Sequence, residues 1–215
     1  ASDVYKRQIQ KRERPDLLGV AFDPKGGSFR REIFPEYKAN RAETPEDILL
    51  SVPYVKRVLE AMCIPILEVE GYEADDVIGT LSQKGVEAGY EVFMVTPDKD
   101  YGQLVSDRVF MYRPKHTGGF EVMGTEEVKT RFNIQTTEQV IDMLGLMGDA
   151  SDNIPGCPGV GEKTAQKLIA EFGSIENLLE HTDQLKGALK TKVETNREMI
   201  TFSKFLATIK TDVPI

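Results

Sequence analysis

The chain has 215 residues, 40% of them hydrophobic and 29% charged, which suits one large domain or two small ones and excludes general disorder. It has no run of ~18 apolar residues and no apolar leader, so neither a membrane span nor a secretory signal is expected; two cysteines, Cys63 and Cys157, are too few for a disulfide framework and too far apart for a CxxC metal site, which makes a reducing cytoplasm the expected compartment. The formal charge of −8, taken alone, argues against a polyanionic partner such as DNA.

Ala1–Gln8 show no clear period and no fit to the residues after them, and are set apart as a non-native or unassigned segment. Residues 9–123 predict an α/β half. The apolar run Leu17–Phe22 ends at Asp23, the pattern of a buried strand that delivers a carboxylate at its C-terminal end. Pro24–Thr44 mixes cations and rings without an apolar stripe and reads as a loop or mobile helical segment. Thr44-Pro45-Glu46-Asp47 is a helix start. The helix is expected to reach about Met62 and to bury Ile48, Val52, Val55, Leu59 and Met62. Ile64–Val69 predicts a short strand, and Gly71-Tyr72 a turn into a helix whose Ala74, Val77, Ile78 and Leu81 share one face. Gly89 ends that helix. Glu91–Thr96 and Val109–Tyr112 predict further strands, and β-α-β order favours a mainly parallel sheet flanked by helices.

Residues 124–215 predict an all-helical half. Thr125–Phe132, Thr137–Met147, Glu162–Phe172, Ser174–Glu180 and roughly Leu189–Leu206 are the expected helices. Between them lies Gly148–Gly161, rich in Gly, Pro, Asp and Asn.

Four motifs carry acids: Asp23 after the first strand, Glu73, Asp75 and Asp76 in GYEADDV, Asp98 and Asp100 in TPDKD, and Asp149 and Asp152 in GDASDN. Each alone has a plain alternative: helix capping for Glu73–Asp76, a turn for Asp98 and Asp100, a connecting loop for Asp149–Asn153. Together they exceed what capping and turns require. Acids that converge from strand ends and helix starts cannot all stay ionised without cations, and an all-oxygen set suits Mg²⁺ or Mn²⁺. Two such ions ~4 Å apart clamp the attacking and leaving oxygens of a phosphoryl group. The chemistry implied is phosphodiester hydrolysis by water.

In IPGCPGVGEKTA, Gly159 and Gly161 flank Val160, and a helix follows at once with Lys163 and Thr164 in its first turn. Free N–H groups at a helix start suit a phosphate, so the stretch matches a helix-hairpin-helix that grips a DNA backbone without reading bases. The alternative is a simple turn between helices. Arg30, Arg31, Lys38 and Arg41 alternate with Phe29, Phe34 and Tyr37, a mixture that suits single-stranded DNA, with a solvated surface loop as the alternative.

The stretches GVAFDPKGGSFRREIFPEYKANR, GYEADDVIGTL, VTPDKDYGQLVSD and LGLMGDASDNIPGCPGVGEKTAQKLIAEFGS together resemble the 5′–3′ exonuclease domain of bacterial DNA polymerase I, within the flap endonuclease family. The resemblance runs from about Ile9 to the C-terminus. It implies a central mainly parallel sheet, a clamp over the active site and a helical DNA-binding half. It further implies a divalent-metal-dependent 5′ nuclease acting on DNA with a 5′ flap, a nick or a single-strand/duplex junction, in primer removal and repair. By resemblance Asp23, Glu73, Asp75 and Asp76 belong to the metal site, with Glu73 and Asp76 nearest the first ion. Asp98, Asp100, Asp149 and Asp152 complete the carboxylate cluster. Arg30, Lys38 and Arg41 orient the scissile phosphate and the 5′ strand, with Phe29 and Tyr37 as rings of that segment. Gly159, Val160, Gly161 and Lys163 hold the duplex, where the family also binds K⁺ through carbonyls. The family's opening strand, which carries a further metal-ligand Asp, and the helix after it have no counterpart in this sequence. A C-terminal polymerase domain is expected in the full-length protein, together with a nucleoid-associated cytoplasmic location. Two other readings remain: a catalytically impaired DNA-binding fragment, and a related metal-dependent ribonuclease.

The eight singled-out carboxylates equal the acidic excess, since 35 − 8 leaves 27 acids against 27 bases. Net charge does not report where charges lie, so a concentrated cation site removes the objection to a DNA partner.

Overall fold

The computed structural model describes residues 9–115 and 119–215. The segment set apart as 1–8 lies outside these, as does His116.

Two short strands, β1 (Val20–Ala21) and β2 (Ile66–Leu67), pair in parallel with Val20 opposite Ile66. A second sheet holds β3 (Val92–Val95), β4 (Val109–Pro114) and β5 (Phe120–Met123). β3 and β4 are parallel, whereas β4 and β5 form an antiparallel pair with Met111 opposite Met123. The expected single, mainly parallel sheet is therefore divided among the described residues, and β5 was not anticipated. Its alternation is weak, and its stability comes from the cross-strand neighbours of β4, including the stacked rings of Tyr112 and Phe120.

Helix α1 (Phe29–Ile33) lies inside the segment read as a loop or mobile helix. That segment is held in place: Arg30 and Tyr37 are buried, although it has no apolar stripe. Helix α2 (Glu46–Ala61) starts at the predicted place, with Pro45 at its N-cap. Of the face expected to be buried, only Leu59 is fully so; Ile48 is 52% exposed. Helix α3 (Ala74–Glu87) touches both β1 and β3 and so joins the two sheets. Its Val77 is fully buried.

A 3-10 helix, Lys99–Leu104, follows β3 and packs against the helical C-terminal half. There α4 (Thr125–Phe132), α5 (Gln139–Met147), α6 (Glu162–Phe172) and α7 (Ile175–Glu180) follow the predicted spans closely. The single helix expected near the end is instead two, α8 (Gly187–Thr195) and α9 (Arg197–Ala207). Asn196 separates them with φ −110° and its side-chain amide donates to the Lys192 carbonyl, a local bond that competes with helix continuation. α5 is the centre of this half: Val140, Met143, Leu144 and Leu146 are fully buried against α6, α7 and α9. A β-carbon on Gly145 would lie 2.7 Å from Ile175 Cδ1, so the glycine permits the close approach. Gly148, at φ +70°, ends α5 and turns the chain towards the acidic loop.

Candidate metal centre

The four acidic motifs meet where β1 ends, α3 begins, the 3-10 helix begins and α5 ends. Asp23 Oδ1 accepts from the Ala74 amide at 2.8 Å, which ties the end of β1 to the N-terminus of α3. Asp98 accepts from the Asp100 amide at 3.0 Å and caps the 3-10 helix. Asp149 pairs with the Ile154 backbone on both sides of a short loop, 2.9 and 2.8 Å, and its carboxylate accepts from the Ser151 amide. Capping and turn roles are thus present, and they fix the acids where they meet.

The clamp segment lies on this cluster. Lys38 Nζ donates to Glu73 Oε1 at 2.8 Å and stands 3.6 Å from Asp152 Oδ2. Tyr37 Oη donates to Glu73 Oε2 at 3.0 Å and to Asp152 Oδ2 at 3.3 Å. Arg41 pairs with Asp152. The backbone is tied down as well: the Lys38 amide donates to the Asp152 carbonyl at 2.9 Å, and Asn40 Nδ2 to the Ala150 carbonyl at 2.7 Å. Lys38 sits in the left-handed region, φ +55°, a strained conformation for a non-glycine residue.

Electrostatics confirm that the acids sense one another. Burial pushes the Asp75 carboxyl up to about 6, with Glu73 and Asp98 adding to the rise. Burial, then Asp98, Asp149 and Asp152 push Asp100 up to about 7. Burial also raises Asp149, but the hydrogen bond from Ser151 and the Lys99 ammonium at 2.9 Å outweigh it and hold the group below the ordinary range. Lys38 is raised despite its burial, because Glu73 stabilises its charge.

Four of the expected roles meet a different environment. Asp76 is fully buried and Arg30 is 2% exposed, and they form a bidentate pair at 2.7 and 2.8 Å. Arg30 is therefore not a free cation above the cluster. Tyr37, expected as a ring for bases, is 4% exposed, so its ring faces the core and only its hydroxyl reaches the acids. Phe29 packs against Tyr72 and Phe205 at centroid distances of 6.0 and 6.2 Å, beside the Arg30 guanidinium. Sequence reasoning missed Lys99 and Tyr101, which pair with Asp149 and Asp75. Both sit in or beside the TPDKD motif, and that adjacency to acids was the available signal.

The hairpin is built as expected but stands apart from these contacts. The Cys157 amide donates to the Leu146 carbonyl at 2.7 Å and the Gly156 amide to Ser203 Oγ at 3.0 Å, which fastens it to α5 and α9. Val160 is buried, Gly159 and Gly161 are exposed with Lys163, and Thr164 is half-buried in the first turn of α6. Lys192 Nζ donates to the Gly159 carbonyl at 3.3 Å.

The donor set fits a hard divalent ion. It is all oxygen, and Asp100 Oδ1 is buried without a hydrogen-bond partner. Among the described residues no three acids already stand ready to share one ion, and Lys38, Arg41, Lys99 and Tyr101 pair with four of them. No helix among the described residues is long and apolar enough to cross a membrane.

Residues 4–133 match the family described as 5′-3′ exonuclease, N-terminal resolvase-like domain, and residues 135–215 match 5′-3′ exonuclease, C-terminal SAM fold. The chain is 43% identical over 210 residues to DNA polymerase I of Bacillus caldotenax, covering 97% of this chain and 24% of that protein. It thus spans about a quarter of the length of such relatives. A structure of the T5 5′-exonuclease with divalent metal ions (zinc) bound superposes with a TM-score of 0.82 at 24% identity, covering 97% of this chain and 80% of that one. A complex of the bacteriophage T5 flap endonuclease with DNA and metal ions gives 0.80 at 24% identity, covering 97% and 79%. At these identities the likeness shows the fold: an α/β half followed by a helical half. With both family descriptions matched in order along nearly the whole sequence, the chain belongs to the 5′-3′ exonuclease family.

Proposed function

We propose that the chain hydrolyses DNA phosphodiesters as a structure-specific 5′–3′ exonuclease and 5′-flap endonuclease, within a longer cytoplasmic protein that carries a polymerase domain and serves primer removal and repair. The observation that carries this reading is the convergence of acids from four separate segments beneath the clamp cations Lys38 and Arg41. Asp23, Glu73, Asp75, Asp98, Asp100, Asp149 and Asp152 would hold two or more divalent ions, Mg²⁺ or Mn²⁺. Such ions supply a water of lowered pKa and neutralise charge on the phosphate.

The chain's own side chains do the rest. Lys38 and Arg41 can exchange carboxylate partners for phosphate oxygens, since both are charge-assisted hydrogen bonds, and so bring the scissile phosphate to the acids. Tyr37 holds Glu73 and Asp152 at a fixed spacing. Gly159, Gly161, Lys163 and Thr164 lie at a helix start that offers a cation and polar backbone to the duplex, and a K⁺ there would have to displace Lys192 from the Gly159 carbonyl.

A 5′-flap duplex with Mg²⁺ is the test substrate. Cleavage should stop on chelation, and Asp75→Ala should slow it at least ~100-fold, several kcal/mol of metal-borne stabilisation being lost. Lys38→Ala should lower the cleavage rate more than duplex affinity; equal losses would count against its orienting role. A second reading, DNA binding without turnover, is favoured by the cations Lys38, Arg41 and Lys99, which already pair with Glu73, Asp152 and Asp149. Flap binding with no cleavage in either Mg²⁺ or Mn²⁺ would establish it.

A further inference from the structure

Arg30 and Asp76 lie among the site motifs, yet every hydrogen-bonding position they own is occupied within the protein. Asp76 Oδ1 accepts from Arg30 Nη2 and from the Lys210 amide, each at 2.8 Å. Its Oδ2 accepts from Arg30 Nη1 at 2.7 Å and from the Glu73 amide at 3.1 Å. A carboxylate has about four lone-pair sites, so none is left for a metal ion. Arg30 is equally committed. Nε donates to the Leu206 carbonyl at 2.9 Å, Nη1 also to Glu73 Oε2 at 3.2 Å, and Nη2 also to the Thr208 carbonyl at 2.6 Å. All five N–H groups of the guanidinium are used, and none remains for a phosphate.

Those partners have a common feature: they join three distant parts of the chain. Arg30 comes from α1 at the root of the clamp, Asp76 and Glu73 from the start of α3, and Leu206, Thr208 and Lys210 from the end of α9 and the segment after it. Two neighbours extend the connection. Thr80 Oγ1 accepts from the Val213 amide at 3.1 Å and donates to the Asp76 carbonyl at 2.8 Å. Gln103 accepts from the Ile209 amide at 2.8 Å and donates to the Ala207 carbonyl at 3.0 Å.

We propose that Arg30 and Asp76 form a buried latch that fastens residues 206–213 of the helical half to the acid-bearing start of α3, and that both are positioning residues rather than a phosphate-binding cation and a metal ligand. The latch sets where Glu73, which shares Arg30 and gives its amide to Asp76, stands relative to the DNA-binding half. A fully buried ion pair is costly to break from one side only, which suits a fixed joint better than a site that must open to a ligand each turnover. The inference builds on the proposed metal site, and the experiment separates the two.

Mn²⁺ binding to the 215-residue chain is titrated by electron paramagnetic resonance, and amide hydrogen exchange is read at Lys210 and Val213. For Asp76→Ala the latch predicts exchange at both amides at least tenfold faster, with Mn²⁺ affinity lowered less than by Asp75→Ala. For Asp75→Ala it predicts unchanged exchange, with Mn²⁺ affinity at least tenfold weaker if the metal site is right. Asp76→Ala that weakens Mn²⁺ tenfold and leaves both amides protected overturns the latch. If neither variant alters Mn²⁺ affinity, the metal-site reading fails while exchange still decides the latch. Thr80→Ala loosens the same joint without removing a charge and keeps the test open should Asp76→Ala not fold. It should speed exchange at Val213 at least tenfold and lower the turnover of flap duplex at unchanged Mn²⁺ affinity. Unchanged exchange at Val213, or unchanged turnover despite faster exchange, overturns the proposal.

Discussion

In the C-terminal half, α5 buries Val140, Met143, Leu144 and Leu146 completely, and each neighbouring helix adds its own buried residues, Leu168 and Ile169 from α6, Leu178 from α7, Val193 from α8 and Ile200 from α9. In the N-terminal half, α2 leaves Ile48, Leu49, Leu50 and Tyr54 between 52% and 64% exposed, and β3 leaves Phe93 and Val95 about half exposed. Both halves carry apolar periodicity. In one, most stripes meet a facing helix; in the other, β3 and a long helix present apolar side chains that stay about half exposed or more. Buried charge is present in both halves: Asp142 of the helical half is 4% exposed and pairs with Lys204 at 2.6 Å. The N-terminal half supplies Arg30, Lys38, Glu73 and Asp76, the buried and half-buried charges that hold the site together. The helical half thus combines a continuous apolar core with the Asp142–Lys204 pair, whereas the α/β half has a sparser apolar cover beside the Arg30–Asp76 and Lys38–Glu73 pairs.

The strongest way to break this contrast is Leu144→Ala, which removes a fully buried side chain from the centre of the helical core. It should cost about 2–5 kcal/mol in urea unfolding. A loss below ~1 kcal/mol would show that this core is less decisive than its burial suggests.

A smaller effect should come from pH in chelated buffer. Asp75 and Asp100 have native carboxyls raised to about 6 and about 7, chiefly by burial. A raised acid binds protons more tightly in the native state than in the unfolded one. Its contribution is thus fully present below the ordinary Asp range and is lost as pH rises through 6 to 7. Metal-free stability should fall between pH 5 and pH 8 by on the order of 1 kcal/mol, discounted for partial exposure. Asp100→Asn should flatten the profile, and a profile unchanged by that substitution would remove these acids as its cause.

The smallest effect is expected on the exposed stripe. Tyr54→Ser on α2 should alter stability by less than ~0.5 kcal/mol, because the side chain is 64% exposed. A cost of about 2 kcal/mol, measured in the same urea titration, would mean that α2 is covered in solution and that the two halves are packed more alike.

Local chemistry was legible in the residues themselves. Helix limits at Thr125–Phe132 and Glu162–Phe172, the helix end at Met147 and the acids at strand ends and helix starts all depend on neighbours within a few positions, so periodicity and capping rules reached them. The convergence of those acids was inferable from their number. Which of them would stay free was not: Asp75 and Asp76 are adjacent in sequence, yet one faces Tyr101 at the cluster and the other is consumed by Arg30 and Lys210. That choice was made by residues far along the chain, Lys210 among them, as was the burial of Arg30 beneath the Leu206 and Thr208 carbonyls. The unburied stripe of α2 and the division of the sheet have the same origin. Periodicity states which face is apolar, but only the packed chain supplies, or withholds, the surface that would cover it.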